Sequence, residues 1–129
     1  MPPLTLPRSH SGKTPQEVAY LAIREAGRLL LDNFHAKKEV HFKGRGNIVT
    51  NVDYLAQEHI IELLRREYPR WGVISEELAE AIPGDDGYTW VIDPLDGTRN
   101  YAAGLPVFSV VLGLAKEDQV LLGGTYDPM

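Results

Sequence analysis

Four carboxylates in two short segments carry the chemistry open to this chain: Glu76 and Glu77 after Gly72-Val73-Ile74-Ser75, and Asp93 and Asp96 in Trp90-Val91-Ile92-Asp93-Pro94-Leu95-Asp96-Gly97-Thr98. Each segment is a short β-prone apolar run that ends in acids, as a buried strand does when it reaches a functional edge. Two such strands could be sheet neighbours and deliver their acids to the same edge. Carboxylates brought together unpaired repel one another and resist desolvation. A divalent cation removes that problem, and hard oxygen ligands suit Mg²⁺ or Mn²⁺. Thr98 adds a hydroxyl, and the N–H groups of Gly97 and Thr98 would face an anion if they open a helical turn. Pro94 has no N–H, so the strand is expected to stop at Asp93. Gly97 permits a tight path or a close ligand approach.

Taken singly, each segment also has an ordinary reading. Asp-Pro and Asp-Gly are common turn pairs. Ser75 could cap a helix that begins at Glu76. Asp85 and Asp86 read as turn residues without chemistry. His35, His41 and His59 show no ligand-like spacing and read as surface or packing residues.

The elements that must hold these acids follow from local signals. Thr14-Pro15-Gln16-Glu17 is a capping box with proline at the first helical position. Val18, Leu21, Ala22, Leu29 and Phe34 then keep helical spacing, which predicts a helix to about Phe34. The alternation in Glu39-Val40-His41-Phe42-Lys43 predicts a short strand, and Gly44-Arg45-Gly46 a cationic turn. A second helix enters at Thr50-Asn51-Val52-Asp53 and runs to about Tyr68, with Leu55, Ile60, Ile61 and Leu64 on one face. Asp53 near its start is expected to cap it or to face its dipole. Val107 to Leu114, the turn Lys116-Glu117-Asp118-Gln119 and Val120 to Tyr126 read as an antiparallel hairpin. The expected fold is therefore α+β, two helices packed on a largely antiparallel sheet. Residues 1–13, rich in Pro, Ser and Gly, read as a flexible N-terminal tail, and residues 14–129 as the domain.

Composition narrows the function classes. The 129 residues suit one domain, and 43% hydrophobic with 24% charged residues is ordinary for a globular protein. A net charge of −5 argues against a nucleic-acid partner, which calls for a basic face. Without cysteine there is no disulfide, thiol nucleophile or thiolate metal site. No apolar run reaches the roughly 20 residues that span a bilayer. Met1 to Arg8 lacks the layout of a signal peptide. The expectation is a cytoplasmic protein with no membrane partner.

Val73-Ile74-Ser75-Glu76-Glu77 and Trp90 to Tyr101, preceded by Gly46-Asn47-Ile48-Val49-Thr50-Asn51-Val52-Asp53, resemble in order and spacing the three motifs of the inositol monophosphatase family. The family comprises Mg²⁺-dependent, lithium-sensitive phosphatases. The likeness runs from about Thr14 to Met129 and corresponds to the N-terminal half of such proteins, the first layers of an αβαβα sandwich. It implies that Glu76, Asp93, Thr98 and the Leu95 carbonyl hold one cation, and that Asp93 bridges to a second held by Asp96. Glu76 and Thr98 would orient the attacking water, and Asp96 with the Gly97 and Thr98 amides would meet the substrate phosphate. Asp53 would serve a further, weaker cation site. Lys43 matches a lysine on a loop that closes near the metals, and Glu77 an outer ligand. By the same resemblance the substrate is an inositol or sugar phosphate, with fructose bisphosphate, histidinol phosphate or adenosine bisphosphate as alternatives, and the protein a homodimer. Members draw another aspartate and most substrate contacts from their C-terminal half. This chain alone is therefore expected to bind Mg²⁺ weakly and to be poorly active, or else to be a non-catalytic remnant or subunit. Haloacid-dehalogenase-type phosphatases place a nucleophilic Asp two residues before the Asp of their Asp-Gly-Thr, where this sequence has Pro94.

Overall fold

Two capping boxes start the two long helices. Thr14 accepts from the Glu17 N–H at 3.2 Å while the Glu17 carboxylate accepts from the Thr14 N–H, and α1 runs Pro15–Asn33. Thr50 and Asp53 repeat the arrangement at the start of α2, Asn51–Glu67. Reciprocal caps of this kind are worth about 1 kcal/mol each. The computed structural model describes residues 5–44 and 47–129. The positions Arg45 and Gly46 of the expected turn, and residues 1–4 of the expected tail, lie outside the described residues.

Between the helices lies a hairpin, β1 (Val40–Phe42) with β2 (Ile48–Thr50), paired antiparallel as a sheet of its own. After α2 come β3 (Gly72–Ser75), β4 (Tyr88–Asp96), the short helix α3 (Thr98–Ala102), β5 (Ser109–Lys116) and β6 (Gln119–Tyr126). They form a four-stranded sheet in the order β3-β4-β5-β6, with β3 and β4 parallel and the other pairs antiparallel. The expected α+β architecture is what forms.

Alternation along the strands decides where the core sits. Tyr88, Trp90 and Ile92 of β4 and Val110, Leu112 and Leu114 of β5 turn one way, and α1 and α2 cover them with Val18, Ala22, Leu30, Ile60 and Leu64. The opposite face carries Ile74, Val91 and Val111, all exposed. A sheet with helices on one side only puts any acid at an alternate position on the open face.

Two expectations are corrected. Residues 5–13 are not a loose tail along their length: Ser9 and Ser11 donate hydroxyl hydrogen bonds to Glu67 at 2.7 and 2.5 Å, and Tyr68 donates to the carbonyls of Pro7 and Lys13. These donors hold the Glu67 carboxyl down at about 2. Because its pKa is lowered on folding, Glu67 stabilises the attached segment above the ordinary carboxylate range, and the contribution is lost as pH falls toward 2. Glu67→Gln is therefore expected to raise the hydrogen exchange of residues 9–13 at pH 7, and the two proteins should converge near pH 2. The second correction concerns β4, which does not stop at Asp93 but continues through Pro94 to Asp96.

Candidate metal and phosphate site

That continuation is a bulge, and it places the acids. Asp93 pairs with Val111 and Asp96 with Ser109, so β4 takes three steps where β5 takes two. Side chains three apart on a regular strand point to opposite faces, but one extra residue restores the phase. Pro94 sits where no ladder bond is needed, Leu95 turns into the core at 3% exposure, and Asp93 and Asp96 both reach the open side. The parallel β3 ends beside them. The Glu76 N–H still bonds to the Ile92 carbonyl at 3.1 Å, which brings Glu76 and Glu77 to the same sheet edge. Glu76 and Glu77 form a turn and not a helix, and Ser75 donates its hydroxyl to Gln57 at 2.6 Å in place of capping.

The result is a cleft of about 370 Å³ lined by Lys43, Glu76, Glu77, Asp93, Leu95, Asp96, Gly97 and Thr98. All the sequence-predicted site residues but Asp53 belong to its wall. Asn47, Ile48, Arg99 and Asn100 also line it. Their signal was position alone: each lies within a quoted motif but was given no role there.

Asp53 stands behind the wall. It is fully buried, one oxygen accepting from the Thr50 N–H and hydroxyl and the other from the Thr98 hydroxyl at 3.0 Å. The helix-cap reading of Asp53 is thus realised, and its free oxygen ties the start of α2 to Thr98. The Thr98 hydroxyl also lies 3.1 Å from the Leu95 carbonyl, so its one proton is shared between two acceptors. α3 is held from below by Tyr101, whose hydroxyl donates to the Leu30 carbonyl at 2.7 Å and whose ring meets Phe108 edge-on. Gly97 caps α3 at φ +95 in the left-handed region.

The electrostatics are those of an under-neutralised acid cluster. Burial pushes the Asp93 carboxyl up to about 6, and the charges of Glu76 and Asp96 add to the effect. Lys43 enters from the end of β1, donating to Glu77 at 2.6 Å and standing 3.8 Å from Glu76. Burial alone would lower its pKa, but the hydrogen bond and charge of Glu77, with Glu76 and Asp53, outweigh that and raise it. The donor set fits a hard cation: carboxylates and a backbone carbonyl on one wall, with Asp93 electrostatically short of positive charge. As they stand, however, among the described residues no three acids or histidines form a ready-made ion site. Rotation of the acid side chains would have to bring them together. Glu76, with its side chain 53% exposed, has the room.

The comparisons agree with the geometry. Residues 13–129 match the model of the inositol monophosphatase family. A Nus factor SuhB of Haemophilus influenzae is 38% identical over 114 residues, covering 87% of this chain and 43% of that protein. A fructose-1,6-bisphosphatase/inositol-1-monophosphatase of Aquifex aeolicus is 40% identical over the same length, with the same coverage. The extragenic suppressor protein suhB of Bartonella henselae superposes with a TM-score of 0.85 at 32% identity, over 88% of this chain and 45% of that one. The chain thus spans less than half the length of the curated relatives it matches. In the described residues, no helix is long and apolar enough to cross a membrane. Motif order, the bulged acid strand and the superposed fold lead to one conclusion: this chain belongs to the inositol monophosphatase family.

Proposed function

We propose that this chain supplies the acid-bearing half of a Mg²⁺- or Mn²⁺-dependent phosphomonoesterase that hydrolyses inositol or sugar phosphates. The bulge that turns Asp93 and Asp96 toward one cleft beside Glu76 is the observation that carries the reading. Glu76, Asp93, Asp96 and the Leu95 carbonyl would hold the cation. When bound, it supplies charge neutralisation at the phosphoryl oxygens and a water of lowered pKa. Thr98, its proton turned to Asp53 or Leu95, keeps a lone pair to accept from the attacking water, and Glu76 takes the water's proton. The Gly97 and Thr98 amides receive the phosphate. Asp53 acts through Thr98, and a weaker cation on Asp53 itself would require it to release that hydroxyl.

A second reading is a subunit that keeps the fold and works only with a complementary half. It is favoured by the apolar groove of about 530 Å³ on the open sheet face, which Glu76 and Asp93 also border. Whatever covers that groove would reach the acids. Self-association into a homodimer through this face is part of the same reading. The partner is a small phosphate ester and not a nucleic acid, on the strength of the acid-lined cleft and the net charge of −5.

Assays of inositol monophosphate and p-nitrophenyl phosphate, with Mg²⁺ and with or without Li⁺, test both. The expected result is slow, Mg²⁺-dependent phosphate release by the chain alone, faster when a family C-terminal half is supplied, and lost in Thr98→Ala. Release that ignores both Mg²⁺ and Thr98→Ala would reject the enzyme reading. Release only with the second half present would favour the subunit, and no release even then would reject both readings.

A further inference from the structure

The cleft already contains a cation of the chain's own. The Lys43 ammonium is bonded to Glu77, whose side chain is 6% exposed, and faces Glu76 at 3.8 Å. Lys43 sits at the tip of the β1–β2 hairpin, where its N–H bonds the Asn47 carbonyl. β1 is exposed along all three residues, Phe42 being 79% exposed, whereas β2 is held by the buried Val49 and Thr50, so it is the β1 side that has little packing. Lys43 itself is tied to the end of β3 by charge. Among the described residues, meanwhile, no three acids stand as a ready-made ion site.

We propose that Lys43 is an internal counter-cation: its ammonium neutralises Glu77 and Glu76 in the empty cleft, and a divalent ion displaces it from both in order to bind. The inference rests on the cation reading above. An ammonium and a divalent ion a few ångströms apart on shared carboxylates repel each other, so each weakens the other's hold. By linkage the effect is reciprocal: the ion loosens the hairpin tip as much as the tip opposes the ion. The two states differ in where one positive charge lies, and no proton needs to be gained or lost. Lys43 is a positioning residue for Glu76, and once released it is free to face an anionic ligand at the cleft mouth.

Mn²⁺ titration by calorimetry, of the wild-type chain and of Lys43→Gln and Lys43→Arg, tests this. Removing one charge at such a distance is expected to tighten Mn²⁺ binding about tenfold in Lys43→Gln. Lys43→Arg, which keeps the charge, should stay close to wild type. A dissociation constant for Lys43→Gln equal to or weaker than wild type overturns the proposal, as does equal tightening by Lys43→Arg. Absence of saturable binding in all three overturns the cation reading and this inference with it. An independent readout uses the wild type alone, so a variant that fails to fold leaves the question decidable. Acetylation of Lys43, followed by mass spectrometry against Lys116 as internal reference, should rise on addition of Mn²⁺. Unchanged or lower labelling at saturating Mn²⁺ refutes the displacement.

Discussion

Asp93→Asn is expected to make the metal-free chain more stable at pH 7.5 while removing most of its divalent-cation affinity. The carboxyl of Asp93 is raised from 3.8 to about 6, by burial first and then by Glu76 and Asp96. A group whose acid pKa is raised on folding binds its proton more tightly folded than unfolded. Stability is then full below about pH 4 and is lost as pH climbs to about 6. Fully felt, the shift corresponds to roughly 3 kcal/mol, which screening at a partly buried position reduces to about 1–2 kcal/mol. Thermal melts without metal should show Asn above wild type at pH 7.5 and level with it at pH 4. Adding Mn²⁺ should raise the wild-type melting temperature and leave the variant nearly unmoved. An equal difference at both pH values would mean that Asp93 is not the strained charge. A matching Mn²⁺ response in the variant would remove Asp93 from the cation site. A site kept unstable by its own charges is what a binding function leaves behind when its ligand is absent.

Gly97→Ala is expected to be the most damaging single methyl at the cleft, costing about 2–4 kcal/mol. Gly97 adopts φ +95, and an added Cβ would lie 2.9 Å from the Val107 carbonyl oxygen and 3.3 Å from the Phe108 Cα. Both neighbours are backbone, so neither can rotate away. Gly104 provides the control, because it too is left-handed at φ +78 but has nothing within 4 Å of the same added atom. Gly104→Ala should therefore cost only the conformational term, about 1 kcal/mol. Urea denaturation of the two variants separates backbone strain from steric exclusion, and equal costs would contradict the packing argument. Gly97→Ala should also displace Thr98, which begins α3 at the next residue, and weaken any function that depends on the Thr98–Asp53 hydrogen bond.

Much of this was legible in the chain because it is local. Thr14 with Glu17 announces the first helix and its cap forms as read; the second helix enters at Thr50–Asp53 as expected, with Asp53 part of its cap. The hairpin of β5 and β6 follows from two apolar runs around a polar turn, where Glu117 takes the positive φ of 57 that closes it. The acids at the ends of β3 and β4 suggested neighbouring strands, and the two are neighbours, though their parallel direction was not legible. Pro94 was misleading for an instructive reason. Proline forbids a ladder bond at its own nitrogen, and the sequence does not say whether the ladder needs one there. The answer depends on the register of β5, more than a dozen residues downstream. Residues 5–13 likewise look loose until Glu67, whose bond to Ser9 spans 58 positions, supplies an acceptor.

By its residue types and local spacing, the sequence by itself determined the two long helices, the β5–β6 hairpin and the identity of the acids, since caps, apolar periodicity and oxygen ligands are properties of neighbours along the chain; β2 and α3 are too short to carry such a signal. Only the tertiary structure decided that Asp93 and Asp96 share a face, that Asp53 reaches Thr98 from 45 residues away, and that Lys43 rests on Glu77 across 34. Those outcomes depend on strand register and on which surfaces pack together. Such terms are summed over the whole core, so no short stretch of chain contains them.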